Sequence, residues 1–119
     1  MQNSPQDLRK KLLGRKGEEL TCKYLKKKGY EIVARNYKTP YGEADIVARQ
    51  GDTYCFVEVK TRETDAFGLP IEAVTARKRE RYRKIAWHFC IAAREELSCR
   101  FDVASIYQGE LEYIEGAFE

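Results

Sequence analysis

Nothing in this chain approaches the roughly 20 consecutive apolar residues of a membrane-spanning helix. The segment Met1-Gln2-Asn3-Ser4-Pro5 also lacks the core of a signal peptide. A cytoplasmic protein with no membrane contact is therefore expected. Cysteine is scarce and unpatterned: Cys22, Cys55, Cys90 and Cys99 form no CxxC pair, which argues against zinc. The first three fall in predicted elements and are read as reduced, mostly buried thiols. Histidine occurs once, at His88, and tryptophan once, at Trp87; the imidazole is read as structural and the indole as a packing group rather than a base-stacking one. A large excess of one charge is lacking too, since 22 Lys and Arg face 19 Asp and Glu for a net charge of +3. That balance is compatible with nucleic acid without arguing for it, and the distribution of charge matters more. There is no internal repeat and no low-complexity tract. What is present is 119 residues, 43% hydrophobic and 34% charged, enough for one small domain over 1–119 with one core.

Local signals predict the elements. Ser4 can cap a helix, Pro5 fits its first position and Asp7 its first turn. Residues 1–13 read as an N-terminal helical extension, with a break or close packing near Gly14. From Arg15 the residues Leu20, Tyr24 and Leu25 form an apolar face, and Lys26-Lys27-Lys28 before Gly29 marks the end. Tyr30 to Lys38 reads as a strand, Thr39-Pro40-Tyr41-Gly42 as a turn, and Glu43 to Arg49 with Thr53 to Thr61 as a hairpin. A polar loop over Arg62 to Pro70 and one helical turn at Ile71 to Val74 lead to Thr75, a candidate cap. Apolar positions at helical period then run from Ala76 to about Leu97. Arg100 to Gln108 is a predicted strand, and after a turn at Gly109, Leu111 to Ile114 is a short edge strand. This order predicts a mixed sheet covered on two faces.

Charge inside the strands carries the chemistry. A buried charge is costly unless it is paired or metal-bound. Yet Glu58-Val59-Lys60 follows directly on Tyr54-Cys55-Phe56-Val57, and Asp45 sits inside Ala44-Asp45-Ile46-Val47-Ala48. Side chains alternate along a strand, so Glu58 and Lys60 share a face with Phe56, opposite Cys55, Val57 and Val59. Likewise Glu43, Asp45 and Val47 share a face, opposite Ala44, Ile46 and Ala48. A four-residue hairpin loop pairs Arg49 with Tyr54 and sets Asp45 opposite Glu58. A two-residue loop at Gln50-Gly51 pairs Glu43 with Glu58 and leaves Asp45 diagonal to it. A three-residue loop separates the two carboxylates unless a bulge restores them. Two carboxylates and a lysine converging on one strand edge suit a magnesium ion beside a phosphodiester, and hence a nuclease. Taken singly the motifs are bland. Glu-x-Lys is common on solvated strands, Asp45 beside Glu43 could be surface, and Glu18 could pair with a helix lysine. Their joint placement in apolar strands favours catalysis, with Glu43 open between a supporting role and an outer-face charge.

Arg77-Lys78-Arg79-Glu80-Arg81-Tyr82-Arg83-Lys84 carries six cations. Arg77, Arg81 and Lys84 at helical spacing read as a phosphate-contacting stripe or as a solvated face. Lys78 either joins that stripe or turns inward to the site. Arg15, with Arg9, Lys10, Lys11 and Lys16, extends the electrostatic footprint or is plain helix surface. Arg62 is counted among the nucleic-acid contacts.

Several motifs in order resemble one family. Gly14-Arg15-Lys16-Gly17-Glu18, Gly42-Glu43-Ala44-Asp45-Ile46-Val47-Ala48 and Phe56-Val57-Glu58-Val59-Lys60-Thr61-Arg62 are similar to the YraN-like family of bacterial proteins. Phe67-Gly68-Leu69-Pro70, Glu72-Ala73-Val74, Lys78 and Arg100-Phe101-Asp102-Val103 fit too. The likeness covers roughly residues 14 to 107. That family resembles the PD-(D/E)xK nuclease superfamily, near archaeal Holliday-junction resolvases and restriction endonucleases. The resemblance implies a restriction-endonuclease-like α/β/α sandwich with a central mixed sheet. It also implies Glu18 on a helix, Asp45 and Glu58-x-Lys60 on a hairpin, and DNA as partner. A homodimer and partner proteins of DNA repair or recombination belong to the same expectation. The proline of the superfamily name is replaced here by Ala44, a position that varies.

The expected chemistry follows from charge. Asp45 and Glu58, with the carbonyl of Val59, would hold Mg2+ or Mn2+, which takes oxygen ligands and keeps several waters. Glu18 would bind a second ion or a water on the first. Lys60, a compact point cation, would orient the attacking water or stabilise the transition state. Crowding carboxylates inward disfavours ionising all of them unless a metal is present. The expected function is metal-dependent hydrolysis of DNA, on branched or recombination and repair intermediates. The alternative is a catalytically weak nucleic-acid-binding accessory protein. A plain scaffold with a solvated charged face is the third reading.

Overall fold

The computed structural model describes residues 4–62 and 74–119. The expected loop and helical turn between Arg62 and Val74, with the Phe67-Gly68-Leu69-Pro70 motif, fall outside the described residues apart from those two ends.

Helix α1 spans Pro5–Lys27. Its first turn is closed by a capping box in which Ser4 Oγ accepts from the Asp7 N–H and the Asp7 carboxylate accepts from Ser4. The helix runs unbroken through Gly14, where an added Cβ would meet nothing within 4 Å. The tight contact is at Gly17 instead, where a Cβ would strike Thr61 Oγ1 and press on Val59 and Ile106 at 3.2 Å. Helix α2 spans Ala76–Ala93, with Thr75 Oγ1 capping the Lys78 N–H at 3.2 Å. It stops short of the expected Leu97 because Arg94 turns left-handed (φ 55) and donates its N–H to Ile91 O.

Five strands form one sheet in the order β1 (Glu31–Thr39), β2 (Gly42–Gln50), β3 (Thr53–Arg62), β4 (Ser98–Tyr107), β5 (Glu110–Phe118). Neighbours are antiparallel except β3 and β4, which run parallel with α2 in the connection between them. Strand β5 is longer than the expected Leu111 to Ile114. Its last residues Ala117 and Phe118 are buried, and Phe118 stacks on Phe101 at 5.1 Å.

The two sheet faces carry separate cores. Cys22 and Leu25 of α1 pack with Ile46, Ala48, Cys55 and Val57, while Tyr82, Ile85 and Ala86 of α2 pack with Val47, Phe56 and Val103. Fully burying a side chain such as Leu25 or Phe56 contributes about 1.5–3 kcal/mol. The alternation follows expectation except at Ala44, which joins Val47 and Phe56 rather than Ile46 and Ala48. Asn36 of β1, between the pairs Arg35↔Ile46 and Tyr37↔Ala44, takes a positive φ of 52, and the β1–β2 register shifts between Ile32 and Ala34.

Candidate active site

The hairpin closes on Gly51-Asp52, after the pairs Arg49↔Tyr54 and Gln50↔Thr53. Gly51 adopts φ +59, the conformation that primed hairpin turns demand of their first central residue. This is the register expected from a four-residue loop, closed one pair further, and it sets Asp45 across from Glu58. The β2–β3 ladder ends at Ile46↔Val57. Beyond that point Asp45 Oδ2 accepts the Val59 N–H at 2.7 Å, so a carboxylate replaces the partner strand's carbonyl. The N–H and C=O of a strand residue point to the same side, and the Val59 carbonyl therefore opens on the same gap.

Asp45 is crowded by negative charge. Burial pushes its carboxyl up to about 7, the charges of Glu58, Glu18 and Glu43 push the same way, and the Val59 N–H opposes them. Glu58 projects to the α2 side, as its face with Phe56 predicts, with a side chain 13% exposed. Its Oε1 accepts from Lys78 Nζ at 3.2 Å and its Oε2 from the Tyr82 hydroxyl at 2.6 Å. Burial first, then the charges of Glu58 and Asp45, hold the Tyr82 phenol far above its usual range, so it stays a proton donor to Glu58. Lys60 is half-buried, and among the described residues its ammonium has no hydrogen bond or ion pair.

Glu18 is placed at the site by the contact of Gly17 with β3. Its carboxylate is met by Arg35 at 3.8 Å. In the orientation that satisfies both ends of the Asn36 amide, Nδ2 donates to Glu18 Oε1 at 3.1 Å and Glu43 Oε1 at 3.0 Å. Asn36 thus ties Glu43 to Glu18, which gives Glu43 a supporting position. Among the described residues no three Asp, Glu, His or Cys side chains gather closely enough to hold a metal. The groups able to coordinate one are the Asp45 and Glu58 carboxylates with the Val59 carbonyl, and Glu18 stands beside them rather than among them.

The expected nucleic-acid contacts divide. Lys78 turns inward to Glu58 and leaves the phosphate stripe. Arg62 is a correction: it is 9% exposed and its Nη2 reaches Ser105 Oγ at 3.5 Å, because its strand position faces the interior. Arg77, Lys84 and Arg15 are exposed, and Arg81 is half-buried with its stem laid over Gly42. Trp87 is a second correction. It is 58% exposed and meets Tyr41 edge-on at 6.3 Å instead of packing in the core. His88 sits between the rings of Tyr37 and Tyr41, in keeping with a structural role. All four cysteines are free; Cys22 and Cys55 are buried, but Cys90 is only half-buried, 3.8 Å from Cys99.

Two groups were not singled out in the sequence. Tyr82 lies one turn after Lys78, a spacing that could have paired them, but the ring reads as an ordinary apolar-face residue. Asn36 gives no signal, since its reach depends on a left-handed backbone in mid-strand. A further buried charge, Asp102, is satisfied by both prongs of the Arg100 guanidinium at 2.9 and 3.0 Å, the Tyr113 hydroxyl at 2.5 Å and the Gly116 N–H at 2.9 Å. That network fastens β4 to β5.

The chain is similar to known proteins over most of its length. Residues 17–106 match the model of "Uncharacterised protein family UPF0102". A UPF0102 protein of Thermodesulfovibrio yellowstonii is 41% identical over 89% of this chain and 95% of its own length. One from Alkaliphilus metalliredigens is 43% identical over 91% and 98%, and one from Prosthecochloris aestuarii 47% identical over 79% and 75%. With most of its length matched by the family model and by these relatives, the chain belongs to the UPF0102, or YraN-like, family.

Proposed function

We propose that the protein is a metal-dependent endonuclease of the PD-(D/E)xK type, hydrolysing phosphodiesters of DNA with Mg2+ or Mn2+. The observation that carries this reading is the gap where β2 leaves β3. There Asp45, half-buried and pushed up to about 7 by burial and neighbouring carboxylates, faces Glu58 beside a half-buried Lys60 that has no partner among the described residues. Surface charges have no reason to accumulate this electrostatic cost. The donor set suits a hard cation: two carboxylates and one carbonyl suffice for an ion that keeps several waters. Such a cation, when bound, supplies charge neutralisation and an activated water.

The chain's own groups do the rest. The Val59 N–H fixes one oxygen of Asp45 and aims the other into the gap. Tyr82 fixes the Glu58 carboxylate. Lys60 offers its free ammonium to the attacking water or to the phosphorane oxygens, where a preset charge acts without reorganisation. Glu18, steadied by Arg35 and Asn36, orients water at the edge of the site.

One observation favours a second reading, a nucleic-acid-binding protein with little turnover. Both Glu58 oxygens are already engaged, by Lys78 and Tyr82, and Lys78 occupies cation space near Glu58. Cleavage separates the two. Labelled linear, nicked, flapped and four-way DNA should be cut with Mg2+ or Mn2+, and Lys60→Met should slow cutting about a hundredfold, roughly 3 kcal/mol, with DNA and metal affinity little changed. Wild-type rates in that variant would refute the role of Lys60. No cutting of any substrate by the wild type would put the binding reading first. Independently, Mn2+ titration should show a site that Asp45→Asn removes; unchanged affinity in a folded variant would sink the metal assignment.

A further inference from the structure

The helix that reaches the site through Lys78 continues into a groove of different composition. Tyr41, Arg77, Glu80, Arg81 and Lys84 line a cavity of about 480 Å3. Tyr41 is 40% exposed, and its ring stands edge to face at 6.3 Å with that of Trp87, which is 58% exposed and lines the adjoining cavity with Cys90, Ile91 and Arg94. Lys84 Nζ lies 6.0 Å from the Tyr41 ring centroid. The one acid of the groove, Glu80, is neutralised by Arg83 at 3.1 Å. Among the described residues Arg77 and Lys84 have no carboxylate partner, and Arg81 Nε is buried without one. Cations that balance no acid, set beside rings that no core covers, make a surface suited to an anionic chain with flat faces. Helix geometry carries the groove about 14 Å from Lys78 to Trp87 at 1.5 Å per residue. Tyr41, in the turn just before β2, stands at most about 13 Å from Asp45 at 3.3 Å per residue. Both distances leave room for only a few nucleotides between groove and site.

We infer that this groove binds an unpaired stretch of the DNA strand next to the cleaved phosphodiester, with a base stacked on Trp87 and Tyr41 and phosphates on Arg77, Arg81 and Lys84. A paired base inside duplex DNA presents no face to a side chain, whereas an unpaired one does, and aromatic stacking tolerates any sequence. The substrate class is therefore DNA with unpaired nucleotides at the site, such as a flap, gap or open junction, rather than continuous duplex. This inference rests on the nuclease reading for the phrase "next to the cleaved phosphodiester", but the groove can be tested without cleavage.

Trp87 is the only tryptophan, so its emission reports on the end of the groove where it meets Tyr41. Without metal, the full chain is titrated with a single-stranded oligonucleotide, a blunt duplex and the same duplex bearing an unpaired tail, at matched phosphate number. The tailed and single-stranded probes should quench Trp87 and bind more tightly than the duplex, by roughly tenfold for one stacked base. Trp87→Leu should erase that preference while leaving duplex affinity alone, and Trp87→Phe should keep much of it. Equal affinity for tailed and blunt probes, or binding that leaves Trp87 emission unchanged, would overturn the inference, as would failure to bind any probe. If tailed DNA quenches Trp87 but nothing is cut with Mg2+ or Mn2+, the nuclease reading falls and the groove stands. If DNA is cut without preference or quenching, the reverse holds.

Discussion

The carboxyl of Asp45 gives the site a pH signature. Its value rises from 3.8 to about 7 because burial and then the charge of Glu58 disfavour the ionised form. With the folded value above the unfolded one, the folded chain keeps a proton that the unfolded chain has lost between about pH 4 and 7. The associated stability is fully present below about pH 4 and is lost as pH rises through about 7. Asparagine carries no charge and can still accept from the Val59 N–H. In urea unfolding without metal, Asp45→Asn should therefore gain on the wild type as pH rises from 4 to 8, by an amount on the order of a few kcal/mol. A difference that stays constant across that range would mean the carboxyl is not perturbed. Asp45 and its closeness to Glu58 were legible in the sequence, because period-two alternation and hairpin register are local. The hold of Tyr82 and Lys78 on Glu58 was not, because it depends on where α2 lies over the sheet.

At the scale of elements, the contact between α1 and β3 positions Glu18. Gly17 lets the helix backbone approach Thr61, Val59 and Ile106 so closely that no side chain fits between. Gly17→Ala should push the helix away, at roughly 1–3 kcal/mol for overpacking, partly offset by the better helix propensity of alanine. Gly14→Ala, with open space around it, should stabilise by about 0.5–1 kcal/mol. Paired denaturant midpoints check the contrast; two substitutions shifting alike would remove Gly17 from its role. The sequence placed glycines at both positions and could not rank them, since helix-breaking tendency is local and the clearance between helix and sheet is not. Helix α2 was similarly overextended to Leu97, because an apolar period continues past a backbone that turns left-handed at Arg94.

For the whole molecule, a net charge of +3 conceals an uneven distribution. Arg77, Arg81 and Lys84 gather on one groove, on the helix whose Lys78 reaches Glu58. Neutralised phosphates release counterions, so replacing all three with alanine should weaken DNA binding and flatten its logarithmic salt dependence by about 2 to 3. An unaltered salt slope would mark the stripe as solvated surface. Arg62 should contribute nothing to that slope, because it is turned inward toward Ser105.

The sequence by itself determined the mixed α/β class, the two capped helices, the hairpin and the placing of Glu58 and Lys60 on the face of Phe56. Each of these follows from periodicity, capping chemistry or turn residues, which act over a few positions. Only the tertiary structure decided that Lys78 serves Glu58, that Arg62 is buried, that Trp87 is exposed beside Tyr41, and that Asn36 joins Glu18 to Glu43. Those outcomes depend on how helices and strands distant in sequence are stacked, and on the positive φ of Asn36 in mid-strand. Local pattern carries no information about either, because the same residues would satisfy their helix or strand in any packing.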